Sequence, residues 1–272
     1  MKNLIVRTLS GAVYVGLIIA ALLLGKEYFG LLMAILTILG LSEIQRLLNN
    51  DSKTSLSARI CDIIFAATTV LGTISLPEYG NLIIFLLAIF VLYLPMRIII
   101  AVCDKTQSPA RSAFYSVFSL MYICTPLILL YAAYCIDFKL VFATFVMIWM
   151  NDTGAYISGI TMGRHKLCER LSPKKTWEGF FGGFIACIAV GIAYSFIYEN
   201  GSDVIAWGVY AALISAMSTF GDLFESMIKR HVNVKDSGNL IPGHGGILDR
   251  IDSLLAVSPV TFIMALFLET IL

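Results

Sequence analysis

Long apolar blocks alternate with short polar stretches along this chain, and the blocks are long enough to be helices. Uncharged runs cover residues 8–25, 79–96, 112–136, 179–198 and 204–221. A helix crossing the hydrocarbon core of a bilayer needs about 20 predominantly apolar residues, and its backbone polar groups must be satisfied internally. Those five runs meet that length. Runs at 28–42, 63–76 and 253–268 are shorter, and 140–163 qualifies once Asp152 is accepted inside it. The pattern predicts an all-α, polytopic integral membrane protein with about nine transmembrane helices. Pro95, Pro126 and Pro259 lie within apolar runs, where each removes a backbone donor and predicts a kink.

Composition agrees with that reading. The chain is 58% hydrophobic and only 14% charged, with a mean hydropathy of +0.86, far from the usage of soluble domains. Charge then sets an orientation. With nine spans and a cytoplasmic N-terminus, all of the 19 basic residues except Lys26 and Lys139 fall in inner segments, as the excess of Lys and Arg in cytoplasmic loops requires. Lys2 and Arg7 precede the first apolar run, but no small-residue cleavage site closes it, so a retained signal-anchor helix is expected. No organelle-targeting segment is read, and the expected location is the cell inner (cytoplasmic) membrane, multi-pass.

A net charge of +1 and the lack of a basic, aromatic-interleaved surface give no nucleic-acid partner. The six cysteines form no CxxC pair and are read as buried small hydrophobes, with no disulfide framework or zinc site. Residues 1–139 carry almost no unusual polar groups and read as a transmembrane scaffold. Residues 140–272 carry nearly all of them and read as a catalytic transmembrane region with cytoplasmic loops. No repeat relates the halves, which weighs against inverted-repeat transporters.

The chemistry concentrates in two polar stretches. In the second, Asp222, Glu225, Ser226 and Lys229 stand at helical offsets of three, four and seven, on one face of a helix continuing from the apolar run. A carboxylate at that depth needs a partner or a metal; an internal ion pair with Lys229 is the plain alternative. Arg230, Lys235 and Asp236 follow, then Pro242, Gly243, His244, Gly245 and Gly246, then Asp249, Arg250 and Asp252. Glycines let a backbone approach a phosphate closely, and a helix N-terminus beside them favours an anion. Asp249 and Asp252 share the face of an opening helix turn, where carboxylates also serve as dipole complements. Mg²⁺ takes one or two carboxylates and engages substrate phosphates. Asp222 and Asp249, brought together from two helices, would serve, with Asp252 as an additional ligand or support.

The first polar stretch holds Asp152 inside a span, then Ser172, Pro173, Lys174, Lys175 and Thr176. Two cations and two hydroxyls on a constrained turn suit a triphosphate, although Lys174 and Lys175 could equally be membrane-surface anchors. Gly179, Gly182 and Gly183 read as helix-packing positions. His165, His231 and His244 lack zinc spacing. His244, inside the glycine segment, is the acid/base or phosphate-contact candidate, with a structural hydrogen bond as the alternative.

These residues resemble a family. The run from Ser226 through Lys229, Arg230, Lys235, Asp236, Gly238, Pro242, His244, Gly245, Gly246, Asp249, Arg250, Ile251 and Asp252 is similar to the signature of the phosphatidate cytidylyltransferases (CDP-diacylglycerol synthases). Ser172–Thr176 with Glu178 and Gly179 resembles a second stretch of that family, and the segment 152–156 a third. Met162 stands where the family would have phenylalanine. The resemblance implies a Mg²⁺-dependent membrane enzyme that converts CTP and phosphatidate to CDP-diacylglycerol and pyrophosphate. It gives Lys229, Arg230, His244 and Arg250 catalytic roles, and places Ser172, Lys174, Lys175, Thr176, Ser226, Lys235, Asp236, Gly245 and Gly246 at the substrates. Asp222, Asp249 and Asp252 become the metal residues. The partners are CTP, phosphatidate and the lipid bilayer, and a homodimer is compatible with the chain. A transporter using the intramembrane charges as an ion or substrate path is the alternative. It accounts for Asp152 and Asp222, yet not for the glycine-histidine segment and its flanking charges.

Overall fold

The computed structural model describes residues 2–49, 54–75, 79–104, 108–198, 203–240 and 245–271. Among them the protein is all-α apart from one hairpin. The helices are α1 (Lys2–Leu24), α2 (Lys26–Leu48), α3 (Leu56–Ser75), α4 (Tyr79–Cys103), α5 (Pro109–Ile136), α6 (Phe138–Met162), α7 (Trp177–Tyr198), α8 (Val204–His231) and α9 (Leu248–Ile271). Six of them, α2 and α5–α9, are long and apolar enough to cross a membrane, while α1 and α4 contribute the shorter apolar stretches Leu9–Leu24 and Ala88–Cys103. Large apolar side chains face outward in number: Ile205 is 83% exposed and Val102 80%. In water such a surface would drive association; in a bilayer it is the lipid-facing side of a polytopic protein.

The chain divides into two compact units, Met1–Cys135 with Val232–Arg250, and Ile136–His231 with Ile251–Leu272. In the first, Phe29 of α2 stacks on Tyr134 of α5 with ring centroids 4.5 Å apart. The Tyr134 hydroxyl donates to the Leu22 carbonyl at 2.8 Å, so an amphipathic ring finds both an apolar bed and a polar partner. Arg97, expected among the loop cations, instead sits inside α4 at 1% exposure, 3.8 Å from the fully buried Asp62 of α3. Two buried ions are costly unless their remaining polar atoms are used. Tyr93 and Gln45 donate to Asp62 at 2.6 and 2.8 Å, and Arg97 donates to Ser112 and Ser116 at 3.0 and 3.1 Å. The network joins α2, α3, α4 and α5.

In the second unit, small residues set the spacing of α6 and α7. A Cβ on Gly154 would lie 2.8 Å from Ala186 Cβ, and one on Gly183 would lie 2.6 Å from the Asn151 carbonyl oxygen. Close approach through glycine is how helices pack without a hydrophobic drive, and this is the packing role expected of Gly179, Gly182 and Gly183. Because the obstacle at Gly183 is backbone, Gly183→Ala is expected to force the helices apart and destabilise the protein by about 1–3 kcal/mol. A thermal melt of the detergent-solubilised variant checks this, and an unchanged midpoint would refute the packing argument.

Among the described residues, a hairpin is the element absent from the helical reading. Strand β1 (Lys166–Cys168) pairs antiparallel with β2 (Ser172–Thr176), Lys166 opposite Thr176 and Cys168 opposite Ser172. Pro173 has fixed φ and no N–H to donate, which suits an exposed edge. The cysteines are all free thiols, as expected, but their uniform burial is corrected. Cys61, Cys124 and Cys187 are buried, Cys103 and Cys135 are exposed, and Cys168 is intermediate. An exposed thiol on an apolar helix costs little where lipid replaces protein as its surroundings.

Candidate active site

The second unit assembles carboxylates, lysines and an amphiphilic cavity. α8 carries the apolar run directly into Asp222, and Gly221 just before it lets α9 come close. A Cβ at position 221 would lie 2.8 Å from the Asp252 carbonyl oxygen and 2.7 Å from Ala256 Cβ. Ser253 Oγ fastens the same pair of helices by donating to the Ser218 carbonyl at 3.1 Å. With the backbones this near, Asp222 and Glu225, one turn apart on α8, meet Asp252 of α9. Ligand oxygens of the three lie within 4.8 Å of one another. An all-oxygen, three-carboxylate set is the donor chemistry of a hard cation such as Mg²⁺, and not of metals that favour thiolate or imidazole.

Cations are already placed against this cluster. Lys175 Nζ lies 2.7 Å from Asp222 Oδ2 and donates to the Thr219 carbonyl at 3.3 Å. Lys229 forms the i,i+4 ion pair with the fully buried Glu225, so the plain alternative for that helix face is realised at Glu225. Ser226 Oγ donates to Asp222 Oδ1 at 3.3 Å. Beside them opens a cavity of ≈ 590 Å³. Asp152, Lys174, Lys175, Thr176 and Asp222 form its polar part, and Ile160, Leu167 and Phe180 are among its apolar walls. A cavity of that size, mostly apolar with a few convergent charges, is the form of a small-molecule site.

Local chemistry explains how the lysine strand is presented. Thr176 caps α7, its Oγ1 accepting from the Gly179 N–H at 3.2 Å, which satisfies one orphan donor of the first turn. Glu178 accepts from the Arg164 and His165 N–H groups at 3.0 and 3.2 Å, and His165 Nδ1 lies 2.6 Å from its Oε1. Trp177 N–H donates to the His165 carbonyl at 2.9 Å. Both strands are thereby tied to the start of α7, and β2 offers Lys174 and Lys175 from a fixed base.

The remaining candidates lie in the first unit, on the segment 232–250. Asp249 binds that segment to the start of α9: its Oδ2 accepts from Ser237 N–H at 3.1 Å and Gly246 N–H at 2.8 Å. Gly245 has φ +84, a left-handed conformation in which an added Cβ would also collide with the Asp249 carboxylate. Lys235, Asp236 and Arg250 are exposed. Pro242, Gly243 and His244 lie outside the described residues.

Of the expected metal residues, Asp222 and Asp252 share the cluster, Glu225 is its third member, and Asp249 holds the glycine segment. Lys174, Lys175 and Thr176 line the cavity, whereas Ser172 lies in the paired strand and Arg230 is exposed at the end of α8. Sequence reasoning gave Glu178 no role beyond its place in the family-like stretch, and passed over Thr219 and, on α2, Glu43.

A family model described as the cytidylyltransferase family matches residues 5–268. A Staphylococcus haemolyticus protein named phosphatidate cytidylyltransferase is 38% identical over 163 residues, covering 60% of this chain and 63% of that relative. A Thermotoga maritima protein of the same name is 44% identical over 126 residues, 44% of this chain and 47% of the relative. The matched segments thus span less than two thirds of those relatives. The family match runs through nearly the whole chain, including both polar stretches and the carboxylates of α8 and α9, and the chain belongs to the cytidylyltransferase family.

Proposed function

We propose that this protein is a Mg²⁺-dependent nucleotidyltransferase of the cytoplasmic membrane, transferring the cytidylyl group of CTP to phosphatidate to give CDP-diacylglycerol and pyrophosphate. The observation that carries the reading is the second unit's cavity, where paired lysines and carboxylates meet apolar walls among membrane-length helices. Such a cavity suits two phosphate-bearing substrates, one of them a lipid. The names of the relatives support the same substrates, and the Lys and Arg asymmetry supports a cytoplasmic site, where nucleotide is found.

In this reaction a phosphatidate phosphate oxygen forms the new bond to the α-phosphorus of CTP while the bond from that phosphorus to the β-phosphoryl oxygen breaks, releasing pyrophosphate. In-line phosphoryl chemistry depends chiefly on positioning and charge neutralisation. Lys174 and Lys175 offset triphosphate charge, with Lys229, Arg230 and Arg250 as further cations assigned to phosphate. The attacking oxygen is already anionic, so no general base is required. Asp222, Glu225 and Asp252 would hold Mg²⁺, and the sequence pattern adds Asp249 three positions before Asp252. When bound, the ion neutralises phosphate charge and orients the leaving group. Lys175, 2.7 Å from Asp222, holds that carboxylate at the cavity wall.

Purified protein with phosphatidate, Mg²⁺ and α-labelled CTP is expected to place label in lipid and release pyrophosphate in equal amounts. Chelation with EDTA is expected to reduce labelling to background, and excess Mg²⁺ to restore it. A folded protein that labels no lipid would overturn the reading, and activity indifferent to chelation would overturn its metal part.

A further inference from the structure

Ser237, Gly238 and Gly246–Leu248 close around a carboxylate from the part of the chain that reads as scaffold. Glu43 of α2 is 4% exposed. Its Oε2 accepts from Ser237 Oγ at 3.0 Å and from Leu248 N–H at 2.9 Å, and its Oε1 accepts from Ile247 N–H at 3.0 Å. Ile247 and Leu248 open α9, where backbone donors have no partner within the helix and the macrodipole favours an anion. A buried carboxylate is costly unless hydrogen-bonded, and here three donors converge on it.

The glycines of this segment are shaped to the same group. A Cβ on Gly238 would lie 2.7 Å from Glu43 Oε1 and 2.9 Å from Arg46 Nη2, and one on Gly246 would overlap Glu43 and Ser237 Oγ. Asp249 closes the other side through Ser237 and Gly246. Residues on both flanks, Ser237–Gly238 and Gly246–Leu248, therefore meet over Glu43, with 204 and 205 positions separating Glu43 from Ile247 and Leu248.

We propose that Glu43 is a positioning residue for the transferase reaction: it touches no substrate, but fixes Ser237, Gly238, Gly246 and the first turn of α9, from which Asp249 and Arg250 project. This rests on the function proposed above. Misplacing a reacting group by about 1 Å can cost about 100-fold in rate, so the effect belongs in turnover and not only in stability.

The test compares Glu43→Ala and Glu43→Gln with wild type in the full-length protein. Three readouts are used: steady-state kinetics with CTP and phosphatidate, hydrogen exchange, and thermal melting. Glu43→Ala is expected to lower kcat about 100-fold, with both KM values within about threefold and faster exchange confined to peptides in 235–250. Glu43→Gln keeps an acceptor oxygen and is expected to recover kcat to within about tenfold of wild type, with exchange largely restored. Wild-type kcat in Glu43→Ala would overturn the proposal. So would equal losses in both variants that track a lowered melting point and faster exchange throughout the chain. Should Glu43→Ala fail to fold, Glu43→Gln decides alone: a kcat loss of up to about tenfold with any faster exchange confined to peptides in 235–250 supports the proposal, and wild-type kcat or faster exchange throughout the chain overturns it. A wild type that labels no lipid, with the exchange pattern as expected, would remove the reaction while leaving the clamp on Ser237, Ile247 and Leu248 standing.

Discussion

Asp222→Asn is expected to lower CTP-dependent lipid labelling by about 100- to 1000-fold while leaving the protein folded. The substitution is nearly isosteric and removes one negative charge, so packing of α8 against α9 through Gly221 is preserved. The lost charge faces Lys175 at 2.7 Å and contributes one of three carboxylates whose oxygens lie within 4.8 Å. A neutral amide is a poor ligand for a hard divalent cation, and metal stabilisation of transferring phosphate is worth several kcal/mol, each 1.4 kcal/mol being about tenfold in rate. Steady-state rates across a Mg²⁺ titration are the measurement. The half-saturating Mg²⁺ concentration should rise by about tenfold or more in the variant, so that added metal recovers part of the rate. An Asn variant within about threefold of wild type at every Mg²⁺ concentration would move the essential cation away from this cluster.

The helices were legible in the sequence because a bilayer imposes one simple requirement, an apolar run of sufficient length. The run at 179–198 is α7, Trp177–Tyr198, and that at 79–96 is the start of α4. Ends were less legible. α3 begins at Leu56, not 63, because its first turns are polar and hydropathy passes over them, while Ser55 and Ser57 accompany the start of the helix. The β1–β2 hairpin was invisible for the opposite reason. It is eleven residues of mostly polar chain (166–176) with no alternation, ordered by Glu178 of the neighbouring helix and by its own Thr176, which caps that helix.

The site was partly legible. Residues that carry charge in local clusters, such as Asp222, Lys175 and Asp252, stand out against an apolar background. What sequence spacing cannot reveal is a partner brought by tertiary contact. Glu225 was visible on the Asp222 face, but its meeting with Asp252 depends on how closely α9 approaches, for which Gly221 was the available signal. Glu43 gave none: it is one acidic residue near the end of an apolar helix, and its partners lie some 200 positions away. Asp62 is similar, buried on Arg97 of another helix.

Asp249 separates two roles that one residue type can play, and its substitutions should separate them too. Both Asp249→Asn and Asp249→Ala are expected to lower labelling about 100-fold or more, because each removes a carboxylate from the first turn of α9 beside the segment proposed to handle phosphate. Their effects on the backbone should differ. The Asn carbonyl can still accept from the Ser237 and Gly246 N–H groups that Asp249 now holds at 3.1 and 2.8 Å. Alanine leaves both donors without that acceptor, a loss of about 1–3 kcal/mol for each buried group. Hydrogen exchange should therefore show Ser237 and Gly246 protected in Asp249→Asn and exchanging freely in Asp249→Ala. Activity retained in the Asn variant would mean that the carboxylate acts only as a backbone acceptor and carries no charge needed by the reaction. Protection retained in the Ala variant would mean that Glu43, through Ser237 Oγ, Ile247 and Leu248, holds the segment without help from Asp249.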